Sequence, residues 1–276
     1  MQIEDLLVEK DLRGMKFAQS CLKSGYYYRA AKLINKATGT VLIGTGFPVL
    51  DTFETDGPVG AIVLYNAFLK IGLSPVLVCG EPLYSALIEE YDCLRLNLDN
   101  NINAEHFAKS ALADIEPSLL ISIERPGLTL DGTYRNMFGD DITARCASFD
   151  DFFNFSICPS IGIGDGGNEI GMGNISHHLT SHNIMTSQTC CDELLVADVS
   201  NWAAYGILGL LSLMKKEDLL ADVNPLKILK YLSSKGSVDG VTKLNTLTED
   251  SLSYTEGLEL INKIRTLCGF QQISNL

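Results

Sequence analysis

Residues 160–173 read Ser-Ile-Gly-Ile-Gly-Asp-Gly-Gly-Asn-Glu-Ile-Gly-Met-Gly, an apolar stretch that runs directly into a glycine-rich turn. The first part, Ser160 to Gly164, is short, apolar and without strict alternation, which is typical of a strand buried on both faces. Five glycines lie between Gly164 and Gly173, more than a simple strand-to-helix connection needs. The stretch therefore predicts an internal parallel strand with a functional loop at its carboxyl end.

The rest of the chain repeats this alternation of short apolar runs with longer helical patterns. Further strands are predicted at Thr40 to Thr45, Pro75 to Cys79, Ser118 to Ile123 and Leu194 to Asp198. Helices are predicted at Tyr26 to Ala37, Pro58 to Ile71, Pro82 to Tyr91, Ala104 to Ile115, Asn201 to Lys215, Pro225 to Ser233 and Thr255 to Cys268. This order predicts a single α/β domain over residues 1–276, a three-layer sandwich with a mostly parallel, doubly wound, Rossmann-like sheet.

Composition limits the partners that such a domain can have. The chain has 276 residues, is 46% hydrophobic and carries a formal net charge of −13. Nucleic acids and anionic membranes bind clustered Lys and Arg, so neither is an expected partner. A small anionic substrate would need a local arginine or bound divalent cations, because bare carboxylates would repel it.

The sequence also predicts a cytoplasmic protein. Its eight cysteines are scattered without a C-x-x-C pair, as expected of reduced core residues. The first ten residues lack the pattern of a secretory signal. The longest strongly apolar stretch, Trp202 to Met214, is shorter than the roughly 20 residues of a membrane span. The sequence leaves self-association into a homo-oligomer open.

Polar or glycine-rich sequence follows four of the predicted strands. Ligands bind at the carboxyl ends of strands in open α/β sheets, so these turns are expected to converge on one edge. The acidic and polar residues in question are Glu54, Asp56, Glu124, Arg125, Asp165, Asn168, Glu169, Asp198, Ser200 and Asn201.

The carboxylates among these residues predict a site for Mg²⁺ or Mn²⁺, which prefer oxygen ligands. Asp165 and Glu169 are the first choices as ligands, with Glu54 as a third. Asp56, Glu124 and Asp192 could also complete the set. The structural alternative is that Asp165 caps a following helix and Glu169 complements the dipole of that helix.

Two other patterns suggest different chemistry. Gly162, Gly164 and Gly167 match a dinucleotide-binding fingerprint, with Asp192 and Glu193 at the distance of a ribose-binding acid, so a nicotinamide enzyme is a minor alternative. The second pattern, a group of histidines with partial zinc-like spacing, lies in polar sequence and is interpreted as surface residues. The group consists of His177, His178 and His182.

Several longer motifs resemble a known family. The motifs are Gly46-Phe47 with Glu54-Thr55-Asp56-Gly57-Pro58, Ile123-Glu124-Arg125-Pro126-Gly127, Asn136-Met137 with Gly139, Gly162 through Gly173, Ser200-Asn201-Trp202 and Ser237-Val238-Asp239-Gly240. Together they are similar to the C-terminal domain family of D-glutamate cyclase, whose members also occur as stand-alone proteins. The likeness extends over most of the chain.

The resemblance implies a lyase that reversibly dehydrates D-glutamate to 5-oxo-D-proline. It implies that a divalent ion on Asp165 and Glu169 polarises the carboxylate and that Glu124 or Asp56 moves the proton. Arg125 and the turn at Ser200 and Asn201 would hold the α-carboxylate. The glycine-rich loop and a neighbouring turn would supply the other substrate contacts, from Gly166, Gly167, Asn168 and Asn136.

Two further function classes would use the same residues. A divalent-metal-dependent phosphatase or hydrolase of a small phosphorylated compound needs the same carboxylates and glycine turns. A non-enzymatic small-molecule binding domain would be stabilised by its ligand without turnover. The sequence alone does not separate these classes.

Overall fold

The computed structural model describes residues 2–180 and 186–271. In this part of the chain, one sheet of six parallel strands forms the centre of the molecule. Its strands are β1 (Thr40–Thr45), β2 (Ser74–Cys79), β3 (Cys93–Arg95), β4 (Leu119–Ile123), β5 (Ser160–Gly164) and β6 (Glu193–Val196). Numbered along the chain, they lie in the order 3-2-1-4-5-6 across the sheet.

Helices of very different length surround the sheet. They are α1 (Gln2–Leu7), α2 (Met15–Ser20), α3 (Tyr26–Lys36), α4 (Pro58–Lys70), α5 (Leu83–Leu87), α6 (Ala104–Ile115), α7 (Asp150–Phe155), α8 (Ser176–Leu179), α9 (Ser200–Lys215), α10 (Pro225–Ser234) and α11 (Tyr254–Leu267). Two short antiparallel hairpins, Pro48–Val49 with Thr52–Phe53 and Thr248–Glu249 with Leu252–Ser253, lie in the loops.

The sheet separates two apolar layers. The larger layer packs α3, α4 and α9 against one face, and Trp202 belongs to it at 3% exposure, which agrees with an apolar helix buried on most sides. The smaller layer packs α6 and α7 against the other face through side chains such as Leu120 and Phe152. The predicted three-layer α/β fold with a parallel, Rossmann-like sheet is therefore confirmed.

Most predicted elements are present with small shifts at their ends. The sequence analysis missed β3, because Cys93–Arg95 has only three residues and no clear apolar run. It also missed α1, α2 and α7, because helices of six residues give too few turns for a periodic pattern. None of the helices in the described residues is long and apolar enough to cross a membrane.

The strand order determines where a site can form. β1 lies between β2 and β4, so the chain changes direction across the sheet at the β1–β4 pair. In open α/β sheets, ligands bind beyond the carboxyl ends of the strands at this switch point. The segments that follow Thr45, Ile123 and Gly164 therefore occupy the position at which a ligand is expected.

The glycine-rich loop after β5 packs directly on the strand, so we expect Gly162→Ala to destabilise the fold. A Cβ atom at Gly162 would lie 2.7 Å from the carbonyl oxygen of Ile170 and 2.8 Å from Cα of Gly171, and backbone cannot move aside as a flexible side chain can. The free energy of unfolding should fall by about 1–3 kcal/mol in chemical denaturation. The matched change Gly80→Ala, where the nearest atom lies at 3.3 Å, should have a smaller effect. An equal effect of the two changes would contradict the packing argument.

Candidate functional site

Three buried carboxylates from different parts of the chain meet at the switch point. Asp56 lies just before α4, Glu124 directly follows β4, and Asp165 directly follows β5. Each offers one oxygen, and these oxygens all lie within 4.8 Å of one another. The three side chains, which we call the acidic triad, are at most 6% exposed. Turns that are distant in sequence therefore converge, as the strand pattern predicted.

The backbone at Glu124 is held in an unusual conformation. Its φ is 44°, in the left-handed region that non-glycine residues seldom adopt. Two hydrogen bonds join the flanking segment to the loop after β5, from Gly127 N to Asn168 O at 2.9 Å and from Ile170 N to Arg125 O at 2.9 Å. Local strain of this kind persists where the surroundings enforce it, and it is frequent at functional sites.

The N-terminus of α9 points at the triad. The amide of Ser200 donates to Asp56 Oδ2 at 2.9 Å and to Asp165 Oδ2 at 3.1 Å, and the amide of Asn201 donates to Asp56 Oδ1 at 2.8 Å. The Ser200 hydroxyl donates to Glu124 Oε2 at 2.6 Å. Free amides and the positive end of the helix dipole thus stabilise all three carboxylates.

One arginine that the sequence analysis did not identify lies among these acids. Arg13 donates through Nη2 to Asp165 Oδ2 at 2.6 Å, and the same nitrogen lies 2.6 Å from Asp250 Oδ2. It also donates to the backbone oxygens of Asp165 at 3.0 Å and Asp198 at 2.9 Å. The contacts span more than 150 residues of sequence, so no local pattern could have indicated them.

Burial and mutual repulsion make the triad hard to ionise. Desolvation raises the pKa of Glu124 well above its usual range, and the neighbouring Glu169 raises it further. Desolvation also raises the pKa of Asp165 well above its usual range, although the charge of Arg13 opposes this shift. The pKa of Asp56 is raised to about 6, chiefly by desolvation and then by Asp250. A positive ion placed between these groups would favour their charged forms.

Glu169, predicted as a metal ligand, is instead used by the backbone of its own loop. Its carboxylate accepts from the amides of Asp165 at 3.2 Å, Gly166 at 2.7 Å and Gly167 at 2.7 Å. The structural alternative for this residue, that it stabilises free amides at the start of a helix, is also not observed, since these amides belong to a turn. The geometric cluster contains Asp165 with Asp56 and Glu124, in place of the predicted Glu169 and Glu54.

Asp192 and Glu193 lie at the amino ends of the strands, whereas the triad lies at the carboxyl ends. Asp192 accepts from the Ser160 amide at 2.8 Å, where β5 begins, and Glu193 pairs with Arg29 at 2.7 Å. Residues that precede a parallel strand lie at its amino end, away from the loop after Gly164. The suggestions that Asp192 completes the metal site and that either acid binds a ribose beside the glycine loop are therefore wrong.

A cavity of about 310 Å³ opens in front of the triad. Its floor is acidic and its mouth includes exposed apolar side chains such as Met137 and Phe138. Its volume is at the lower end of the range for small-molecule sites, roughly 300 to 1,000 Å³. Several residues that the sequence analysis selected line it, namely Glu54, Glu124, Asn136, Asp165, Gly166, Asn168 and Glu169.

Other predicted substrate-binding residues have structural contacts instead. The guanidinium of Arg125 donates to the carbonyl oxygens of Thr45 at 3.0 Å and of Gly46 at 3.4 Å, and also to that of Ala147. It thereby links the carboxyl ends of neighbouring strands. Arg125 is 4% exposed and, among the described residues, is not part of the cavity lining. The placement does not favour a role in binding the α-carboxylate.

Asn201 also serves the fold. Its side-chain oxygen accepts from the amides of Gly57 at 2.9 Å and Gly60 at 2.7 Å, and its amide group donates to Glu249 at 2.8 Å. These bonds fix the start of α4 against the start of α9. Like Ser200 and Gly167, Asn201 lies outside the described cavity lining.

Asn136 and Asn168, both predicted to contact the substrate, take part in hydrogen bonds with neighbouring turns. The side chain of Asn136 accepts from the Asp140 amide at 3.0 Å and shapes a turn at the cavity, while Asn168 donates to the Arg135 carbonyl at 2.8 Å. His177 and His178 are exposed, as predicted, and His182 lies outside the described residues.

Residues 3–265 match the model of the family described as D-glutamate cyclase-like, C-terminal. The chain belongs to this family. The family match covers every element described above except the first residue of α1 and the last two residues of α11.

Two individual proteins give a more limited likeness. The human protein "D-glutamate cyclase, mitochondrial" is 30% identical over 196 residues, which is 61% of this chain and 32% of that protein. The match thus spans about a third of the relative's length. A solved structure of an exopolyphosphatase-related protein from Bacteroides fragilis aligns with a TM-score of 0.42 and 11% identity, over 90% of this chain and 58% of that one. A likeness at that level carries no argument about function.

The triad fits a small divalent cation by its chemistry. All three donors are carboxylate oxygens, the ligands that Mg²⁺ and Mn²⁺ prefer. Three oxygens bound to one octahedral Mg²⁺ lie about 3 to 4 Å apart, so an ion would draw together any wider pair among these oxygens, which lie within 4.8 Å of one another. Arg13 pairs with Asp165 and with Asp250. Its single positive charge does not balance the negative charges of the ionised triad and Asp250.

Glu249 is a buried acid whose pKa is raised by desolvation and by the charge of Asp56, and it is not a proposed metal ligand. A change at Glu249 therefore tests how burial affects the acids of this site. Glu249 is 1% exposed, and desolvation followed by the charge of Asp56 raises its pKa from 4.5 to about 8. The unfolded chain therefore ionises this group at a lower pH than the folded chain does. The contribution of Glu249 lowers stability as pH rises from about 4.5 to about 8.

We expect Glu249→Gln to raise the unfolding free energy at pH 8 to 9 and to change it little near pH 4.5. The difference from wild type should grow by up to about 1.4 kcal/mol per pH unit within that window, because the neutral amide removes one linked proton. Chemical denaturation in the presence of a chelator measures it. A difference that is constant with pH, or largest in acid, would contradict the raised pKa.

Proposed function

We propose that the protein is a divalent-metal-dependent lyase that converts D-glutamate to 5-oxo-D-proline and water. The observation that carries the proposal is the acidic triad, buried at the switch point of the sheet and open to a cavity of amino-acid size. Membership of the D-glutamate cyclase-like family and the named human relative support the choice of reaction. The activity of the longer relative is extended to this chain only as part of the proposal.

Ring closure requires two proton movements. The α-amine nitrogen attacks the carbon of the side-chain carboxyl group, a C–N bond forms, and a C–O bond breaks to release water. The α-ammonium group must lose two protons in all, one before the attack and one after it, and the departing carboxylate oxygen must gain two to leave as water. Glu124 lines the cavity and burial raises its pKa well above the usual range, so in its protonated form it can donate to the departing oxygen.

The proton acceptor in this scheme is Asp165, which also lines the cavity. Arg13 opposes the rise of its pKa, so Asp165 is more readily ionised beside Glu124 than it would be without that cation. Two neighbouring carboxyl groups with different charged contacts can thus divide the roles of acid and base. Asp56, which accepts three amide hydrogen bonds, holds its position behind them.

A divalent ion held by Asp56 and Asp165, and by Glu124 when that residue is ionised, would polarise the substrate carboxylate as a Lewis acid and offset its repulsion by the acidic floor. Glu54, the remaining predicted ligand, lines the same cavity and is 7% exposed. Desolvation raises its pKa well above the usual range, and Asp250 adds to the shift. Glu54 lines the same cavity as Glu124 and Asp165.

The proposal is tested by incubating the protein with D-glutamate or 5-oxo-D-proline, with and without Mn²⁺ or Mg²⁺, and following both compounds by NMR. Interconversion that depends on the metal supports the proposal. Phosphate esters are tested in parallel, and their hydrolysis with no change in D-glutamate would favour the phosphatase alternative. Thermal stabilisation by 5-oxo-D-proline without turnover would favour a binding domain.

We expect Asp165→Asn to lower kcat for D-glutamate by about 100-fold or more while the fold is retained, because it removes a proton acceptor and a metal ligand. The neutral amide keeps the shape of the side chain, so circular dichroism should be unchanged. The control is Asp222→Asn, an exposed acid paired with Lys70, which should keep wild-type activity. Wild-type turnover by Asp165→Asn would remove this residue from the mechanism.

A further inference from the structure

An anionic substrate must meet positive charge in a cavity whose floor is acidic. Among the described residues that line the cavity, three side chains are cationic, namely Arg13, Lys243 and Arg145. Arg13 is held by Asp165 and Asp250, and the Lys243 ammonium donates to the carbonyl oxygen of Gly240. In the described part of the chain, the guanidinium of Arg145 has neither an ion pair nor a hydrogen bond. It is thus the cavity cation whose donors are all without a partner among the described residues, whereas the Lys243 ammonium has one donor engaged.

The backbone that carries Arg145 is fixed although its side chain is exposed. Its amide donates to the Ile142 carbonyl at 2.9 Å, within a short helical turn. On either side, Ile142 and Cys146 are buried with Phe47 in a small apolar cluster beside the cavity. The guanidinium therefore projects from an ordered support, and a planar fork held in this way suits a carboxylate.

The reaction chemistry indicates which carboxylate Arg145 would contact. The side-chain carboxyl group of D-glutamate reacts and belongs beside the triad, whereas the α-carboxylate keeps its charge through ring closure. Glu124, Asp165 and Arg145 line the same cavity of about 310 Å³, so a ligand in this cavity faces both the triad and Arg145. A contact made equally before and during the reaction contributes to binding more than to the rate of the chemical step.

We infer that Arg145 binds the α-carboxylate of the substrate and so favours substrates whose α-carboxylate is free over those in which it is an amide. This inference rests on the proposed lyase function. It assigns to Arg145 the contact that the sequence had suggested for Arg125, whose guanidinium is already bonded to backbone carbonyls.

The test compares D-glutamate with D-isoglutamine, in which the α-carboxylate is a neutral amide. Arg145→Ala should raise KM for D-glutamate about 10- to 100-fold, as expected for loss of a charged hydrogen-bonded contact, and should change kcat less. For D-isoglutamine the same variant should change KM less than about threefold. Arg145→Lys should fall between wild type and alanine, because it keeps the charge and loses the fork.

The matched control is Arg95→Ala, which removes another exposed arginine, one that pairs with Glu81 and does not line the cavity, and should leave KM for both compounds unchanged. Thermal unfolding of each variant checks that the fold is intact. If wild type converts D-glutamate but Arg145→Ala leaves KM unchanged, or shifts it equally for both compounds, the inference is wrong and the lyase proposal stands. If wild type converts neither compound, the lyase proposal itself fails.

Discussion

The compensation of buried negative charge is the constraint on which the rest of this structure depends. Carboxylates that share a low-dielectric space repel each other and lose their hydration, so they persist only with donors or cations close by. Here the amides at the start of α9 and the guanidinium of Arg13 supply that compensation. Each comes from a distant part of the chain, so the acidic triad forms only when the sheet, α9 and the N-terminal segment are all in place.

The loops around the triad also restrain one another. Glu54 forms a parallel bridge with Val238, and Pro126 forms an antiparallel bridge with Glu169. These backbone contacts connect the segments after β1 and β4 to loops far along the sequence. Glu124, whose φ is positive, lies two residues before Pro126 in one of these connected segments. The strain at that residue is thus balanced by contacts that also hold its carboxyl group beside Asp56 and Asp165.

Much of the fold was predictable because it depends on local patterns. The run from Ser160 to Gly164 is apolar without alternation, and the helix from Ala104 to Ile115 has a clear period, so the sequence indicated both. Short elements such as Cys93–Arg95 hold too few residues to show any period. The convergence of Asp56, Glu124 and Asp165 followed from one general rule, that the carboxyl ends of parallel strands share an edge.

The individual contacts of the site were less predictable, because they depend on side-chain direction and on distant partners. Glu169 resembled a metal ligand in sequence, but the three amides of its own turn bind its oxygens. Arg125 follows a strand as a substrate-binding arginine would, yet its guanidinium turns back to backbone carbonyls. Arg13 had no local signal at all, since its partner Asp165 is 152 residues away.

The acidic floor and the single available arginine at the cavity edge suggest how one small site can accept a molecule with two carboxylates. A divalent ion on the triad would neutralise the end that reacts, and Arg145 would neutralise the end that does not. A ligand that covered the exposed apolar side chains of Met137 and Phe138 in this cavity would displace water and so strengthen both interactions. In this account the acidic residues of the cavity would bind the metal, and the metal would bind the substrate carboxylate.

The most direct test of this account is the number of protons released when the metal binds. Isothermal titration calorimetry of wild-type protein with Mn²⁺ near pH 7, repeated in buffers of different ionisation enthalpy, counts them. Because burial raises the pKa of Glu124 and Asp165, the account predicts saturable binding of one ion with release of about one proton or more. Absence of binding, or binding whose heat is the same in every buffer, would contradict it.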